Sequence, residues 1–170
     1  MDLSRLKWTK NIKPDKKYAD WAYKPERGTP LAMELPEARI FGLNWKTKNK
    51  SNAERPEEGD LILLHQHARV THLAEFLDNK PYNNISEPDW GIYRIVRAVW
   101  TPPSGKDWAT LPHQDEMFGF NVFIMDGLAR NLDTPGTMPK FHEHWSSRGG
   151  LAAFQNHLAT ELAKIDERVN

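Results

Sequence analysis

Short apolar runs and alternating segments, with few helical stripes, mark the middle of the chain. Residues 61–65 (LILLH) form a continuous apolar run, and residues 70–77 (VTHLAEFL) have the composition of its antiparallel neighbour across a turn at 66–69. Residues 91–100 (GIYRIVRAVW) are dense in β-branched and aromatic side chains and predict a further strand, stopped by Thr101-Pro102-Pro103-Ser104-Gly105. Residues 38–45 (ARIFGLNW) predict the strand that opens the series. Polar connections separate these runs. KTKNKSNAERPEE follows Trp45 and ends in the turn signal Glu58-Gly59-Asp60, and an Asn-, Pro- and Ser-rich loop covers 78–89. Beyond Trp108, FGFNVFIM reads as a final strand or as a buried irregular segment.

One clear helical period stands at the C-terminal end. Leu151, Phe154, Leu158, Leu162 and Ile165 recur at steps of three and four after Gly149-Gly150, which predicts an amphipathic helix over 148–167 packed on the sheet. Residues 1–36 show no long periodic face and carry Pro14, Pro25, Pro30 and Pro36. They predict an irregular, basic arm with at most short helical turns, held to the core by Trp8, Trp21 and Tyr23. The expected fold class is therefore α+β. A small, mostly antiparallel, curved or closed sheet with flanking helices would form a single domain over 37–170, following the arm at 1–36.

Composition narrows the chemistry. The 170 residues include no cysteine, so disulfides, thiol catalysis and cysteine-based zinc sites are excluded, and a cytoplasmic location is expected. No run of eighteen apolar residues predicts a membrane span, and MDLSRLKWTK turns polar too soon for a secretory signal. The formal charge of zero hides a gradient: residues 1–50 hold twelve Lys/Arg against six Asp/Glu, and the remainder carries the opposite excess of six. That asymmetry points to a polyanionic partner met locally more than to a grip on duplex DNA, which needs many phosphate contacts; a merely solvated surface is the plainer alternative.

Motifs for catalysis are absent. No GxSxG, GxxxxGK[ST] or GxGxxG occurs, and the acids show no paired spacing. His65, His67 and His72 could share a hairpin, and His142 and His144 form a second group, but neither has the spacing of a metal-binding helix, so no metal and no cofactor are expected. His113-Gln114-Asp115-Glu116 suits a cleft or a helix N-terminus equally, and Asp60 suits a strand-capping turn. Tryptophan stands out, with seven residues, of which Trp45, Trp90, Trp100 and Trp108 fall at strand ends or adjoining loops. Taken singly, each is better explained by packing, Trp100 most of all. As a group they are what a pocket for a flat heterocycle needs, two or three rings stacking while polar neighbours such as Asn44, Thr47, His65, Gln66 and Asn121 read its edge.

GDLILLHQHARVTHLAEFLDN followed by DWGIYRIVRAVW resembles the PUA-like superfamily, and within it the EVE and YTH-type domains, over about residues 38–125. Gly59-Asp60 looks like the turn that launches the apolar strand, and His65-Gln66 like its polar tip. Residues 69–77 look like the paired strand, 90–100 like the next, and Asn44-Trp45-Lys46-Thr47 like the entry to the pocket-forming loop. The segment between Trp45 and Gly59 departs from an EVE domain in lacking an Arg-Asn-rich loop, and the arm and the terminal helix lie outside the pattern. The resemblance implies a small β-barrel that reads RNA or a modified base. Asn44, Trp45, Thr47, His65, Gln66, Trp90 and Trp108 would meet the base and Lys46, Lys48 and Lys50 the phosphates. Partners would be nucleic acid or a nucleotide and an effector protein, with no membrane. The related ASCH domains include enzymes, so an enzyme acting on nucleic acid or a nucleoside is one alternative, and a protein-interaction module is another.

Overall fold

A computed structural model of the chain describes residues 1–12, 39–102, 111–124 and 126–167. Seven strands form one mixed sheet: β1 (Leu6–Asn11), β2 (Ile40–Trp45), β3 (Leu61–Gln66), β4 (Arg69–Phe76), β5 (Tyr82–Asn83), β6 (Ile92–Trp100) and β7 (Ala129–Asn131). Their order is β2-β6-β4-β3-β1-β7, with β5 added to β6. β1 runs parallel to β3, and the other pairs are antiparallel. Among the described residues there are four α-helices: α1 (Lys50–Ala53), α2 (Gln114–Phe118), α3 (Pro139–Trp145) and α4 (Gly150–Glu167).

The strands expected at 61–65, 70–77 and 91–100 are present within a residue or two, as is the C-terminal helix. The β3–β4 turn is a two-residue loop, His67-Ala68, with both residues at positive φ (49° and 60°), the geometry of a type I′ hairpin. The reading of residues 1–36 as irregular is corrected over residues 6–11. LKWTKN forms β1, which lies between β3 and β7, two elements more than fifty residues further on. Residues 118–124, left open between strand and irregular segment, are the end of α2 followed by irregular chain that buries Val122 and Ile124. β7 and α3 were not anticipated, and two short elements interrupt stretches expected to be loop: β5 within 78–89 and α1 within the polar stretch after Trp45. Trp21, Tyr23, the four prolines of 1–36, Ala38, Met125 and Trp108 lie outside the described residues.

The sheet has a core on each face. On one face Leu6, Leu61, Leu63, Val70, Leu73 and Trp100 pack under α2, α3 and α4, with Phe154 at the centre. Phe154 stacks on Phe118 (5.3 Å, 22°) and meets Phe141 (5.1 Å) and Trp145 (5.6 Å) edge-on. On the other face the sheet curls around its own side chains into a half-barrel: Trp8, Phe41, Leu43, Trp45, Ile62, Leu64, Ala74, Phe76, Ile92 and Val96 fill this lumen.

One residue draws the two ends of the sheet together. Asn52 Oδ1 accepts the Trp45 indole N–H from β2 (2.8 Å) and the Ala129 N–H from β7 (2.8 Å), while its Nδ2 donates to the Ala129 carbonyl (2.9 Å). A single carboxamide thus pairs with the edge of β7 as another strand would, and spans the seam between the outermost strands. The polar stretch after Trp45, featureless in sequence, carries this bridge.

Candidate functional site

The lumen is plugged at one end and polar at the other. At the plugged end the fully buried Arg94 guanidinium lies 4.8 Å over the Phe76 ring and donates to the carbonyls of Ala53 (2.7 Å), Pro56 (2.9 Å) and Asp78. Burial pulls its pKa below the usual arginine value, and Asp78, 3.4 Å from Nε, opposes that shift. Asp60 closes the same end. It follows Gly59 in the anticipated turn and accepts from the Trp8 indole (2.8 Å), the Glu57 N–H (3.1 Å) and the Lys7 ammonium (3.0 Å). Burial would raise its pKa, but these donors together hold it below the ordinary carboxylate value.

At the other end, where β1 and β3 finish, the interior turns polar. Lys10, Leu64 and His72 occupy one rung across β1, β3 and β4, and Gln66 lies two residues beyond Leu64. Lys10, Gln66 and His72 are all buried. The Lys10 ammonium donates to the Gly127 carbonyl and lies 5.0 Å over the Trp45 ring. The His72 ring is 5.3 Å from Phe41. Thr71 Oγ1 donates to the Leu64 carbonyl (3.3 Å) and lies within hydrogen-bond distance of His72 Nδ1 (3.0 Å).

The seam beside this polar end is roofed by Trp90. A methyl group placed on Gly127 would come 3.6 Å from the Trp90 ring edge and 3.8 Å from Lys10 Nζ, so indole, ammonium and Gly127 share one small region. Trp90 is set by its neighbours. Asn44 Nδ2 donates to the Trp90 carbonyl (3.1 Å), and Thr47 Oγ1 donates to the Pro88 carbonyl (2.7 Å) and accepts the Gly91 N–H (3.2 Å). The Thr47 N–H reaches the Asp89 carbonyl (3.0 Å). Gly91 is required here because a Cβ would lie 2.6 Å from the Glu87 carbonyl oxygen and 2.7 Å from that of Asn84.

Four of the five described tryptophans have their indole N–H bonded inside the protein. Trp8 donates to Asp60, Trp45 to Asn52, Trp100 to Asp166 (3.1 Å) and Trp145 to the Phe118 carbonyl (2.9 Å), and all four rings are buried. Trp90 differs: it is half-buried, its N–H makes no hydrogen bond with the described residues, and the Lys46 ammonium stands 5.7 Å over its ring. Trp100 is core, as its place in the strand implied.

The expected site residues divide accordingly. Asn44, Trp45, Lys46, Thr47 and Trp90 come together at the seam, with Asn44 and Thr47 holding the Trp90 loop and Trp45 wholly inside. Gln66 lies in the polar end of the lumen. His65 faces away from the lumen, toward α2, with its ring centroid 6.1 Å from that of Phe118. Lys48 and Lys50 are exposed, and Lys50 pairs with Glu54 at 3.7 Å. His113 caps α2, its Nδ1 accepting the Asp115 N–H (3.2 Å), and Asn121 Nδ2 points at Asp115 (3.4 Å). Sequence reasoning missed Lys10, Asn52 and Gly127. The alternation of Trp8, Lys10 and Ile12 was the available signal for the first, while the other two acquire roles only once the sheet curls. Among the described residues no group of three His, Asp or Glu could hold a metal ion, and no helix is long and apolar enough to cross a membrane. No family model, curated protein or solved structure matches the chain.

Proposed function

We propose that this chain is a nucleic-acid-binding reader of PUA-like architecture, which stacks a single-stranded or flipped base on Trp90 at the seam of the half-barrel. Lys46, Lys48 and Lys50 lie on the adjoining turn and meet the phosphates; Lys10, whose ammonium shares the Gly127 region with the indole, is placed to meet the edge of a base inserted there, with Gln66 buried further along the same end of the sheet. The observation that carries this reading is the singularity of Trp90. It alone among the described tryptophans combines a half-exposed ring, an N–H with no hydrogen bond and a cation over its face. Its loop is fastened by Asn44 and Thr47, so the ring is held in place before any ligand arrives and little ordering entropy opposes stacking.

Stacking on one aromatic ring contributes about 1–3 kcal/mol per base. Titration of intrinsic fluorescence with modified and unmodified single-stranded oligonucleotides is therefore expected to show quenching, with Trp90→Ala weakening affinity about 5- to 100-fold. Lys46→Ala is expected to weaken all oligonucleotides alike and to flatten the salt dependence. Absence of binding to every oligonucleotide, or full affinity in Trp90→Ala, overturns the reading.

A further inference from the structure

His65 is the one histidine buried without any trace of exposure, and neither ring nitrogen makes a hydrogen bond. A β-bulge between Leu64 and His65 sets its place on β3, opposite Asn11 of β1 and Val70 of β4. The ring lies on the helix-covered face, edge-on to Phe118, whose other side stacks on Phe154. Gln114 is the polar neighbour that favours a charged ring: its amide nitrogen donates to the Val122 carbonyl (2.8 Å), which leaves the amide oxygen as the atom that can accept from the ring. Lys10 is the charge on β1 that opposes protonation. On β4, Arg69 donates to the Leu111 carbonyl (2.9 Å). On the α2 side the ionisable groups are His113, Asp115 and Glu116, all at least partly exposed.

For an imidazolium at this position the Gln114 side chain is a favourable neighbour, but burial outweighs it, and the charge is better solvated in water. β3 is held by β4 and β1 on both edges and cannot yield without breaking the sheet. α2 is five residues long and is tied to the hairpin by few bonds: Val70 N–H to the Pro112 carbonyl (2.9 Å), Gln114 N–H to the Ala68 carbonyl (2.8 Å), and the Arg69 contact. The segment over His65 is thus held by fewer backbone hydrogen bonds than β3, its remaining hold being the packing of Met117, Phe118, Val122 and Ile124 and the Trp145 indole bond to the Phe118 carbonyl.

We propose that His65 is an acid-sensitive latch: its protonation releases segment 111–124, with α2, from the β3–β4 hairpin while the sheet stays folded. Burial pulls the ring's pKa from 6.5 down to about 4 in the folded protein, Gln114 opposing and Lys10 reinforcing the shift. Because the folded value is depressed, the opened state binds the proton more readily, and the latched state loses stability as pH falls below 6.5 and levels off below about 4. Between pH 7 and 4.5 the opening equilibrium of this segment is expected to rise on the order of fifty-fold.

Amide hydrogen exchange, corrected for intrinsic rates, tests this on the whole chain. Wild type is expected to lose protection at Met117, Phe118 and Val122 on acidification, while amides of β3 and β6 keep theirs. In His65→Met the acid-dependent loss is expected to vanish, and His65→Gln serves as a second neutral variant should the first fail to fold. Equal loss of protection in segment and sheet, or an unchanged pH profile in the variants, overturns the latch.

Discussion

The two faces of the sheet are stabilised by different physics. The helix-covered face is an apolar core in which Phe154 meets three aromatic rings, and the one buried ionisable side chain among its described residues, His65, is unbonded there. The lumen face holds the same kinds of ring but mixes them with Lys10, Gln66, His72 and Arg94, and its closure depends on hydrogen bonds from one Asn52 carboxamide. Apolar packing tolerates small shifts because dispersion and burial are non-directional; a bridge of three directional bonds does not. The helix side is therefore held by packing, and the lumen side by a few directional bonds.

Substitutions on each side should separate these roles. Phe154→Ala removes a fully buried ring from the helix-side core and is expected to lower unfolding free energy by about 3–5 kcal/mol, read from denaturant midpoints. Loss of under about 1 kcal/mol would show that the helices contribute little and break the comparison. Asn52→Ala leaves the Trp45 indole N–H and both Ala129 backbone groups without their partner, and is expected to cost about 2–3 kcal/mol. Its signature is local: Trp45 should become reachable by acrylamide, while the exchange protection of α4 follows only the global change. If Trp45 stays shielded, the seam is held by something other than the carboxamide. Ala68→Gly is the smallest test. Ala68 holds φ of 60°, which glycine adopts without strain, so a gain of about 0.5 kcal/mol is expected from the denaturant midpoint. Because β3 and β4 contribute to both cores, that gain should appear on both faces alike.

What the sequence made legible follows from how local each cause is. β3, β4, β6 and α4 announce themselves because their side chains are sorted by burial at a single period. β1 does not: Lys10 and Thr9 are buried in it, so a strand between two others reads as a polar segment. β7 is three residues long and too short for any period. At the site, residues 44–47 and Trp90 were legible as neighbours because strand ends and their loops must meet. Their division of labour was not, since Asn44 and Thr47 find their acceptors and donor across some forty residues of chain. Asn52 was invisible for the same reason in stronger form, its partners being a neighbour in α1's approach and a backbone seventy-seven residues away.

The position of β1 also has a consequence in time. A ribosome makes this strand before either of its neighbours: its parallel partner is residues 61–65 and its other edge is completed only by residues 129–131. Until β3 has been synthesised, Leu6, Trp8 and Ile12 have no neighbouring strand to cover them, and β7 comes later still. Contacts so distant in sequence are slow to form, so β1 is made before its partners and is secured late. During that interval the nascent chain exposes a hydrophobic segment open to chaperones and to mispairing with other strands.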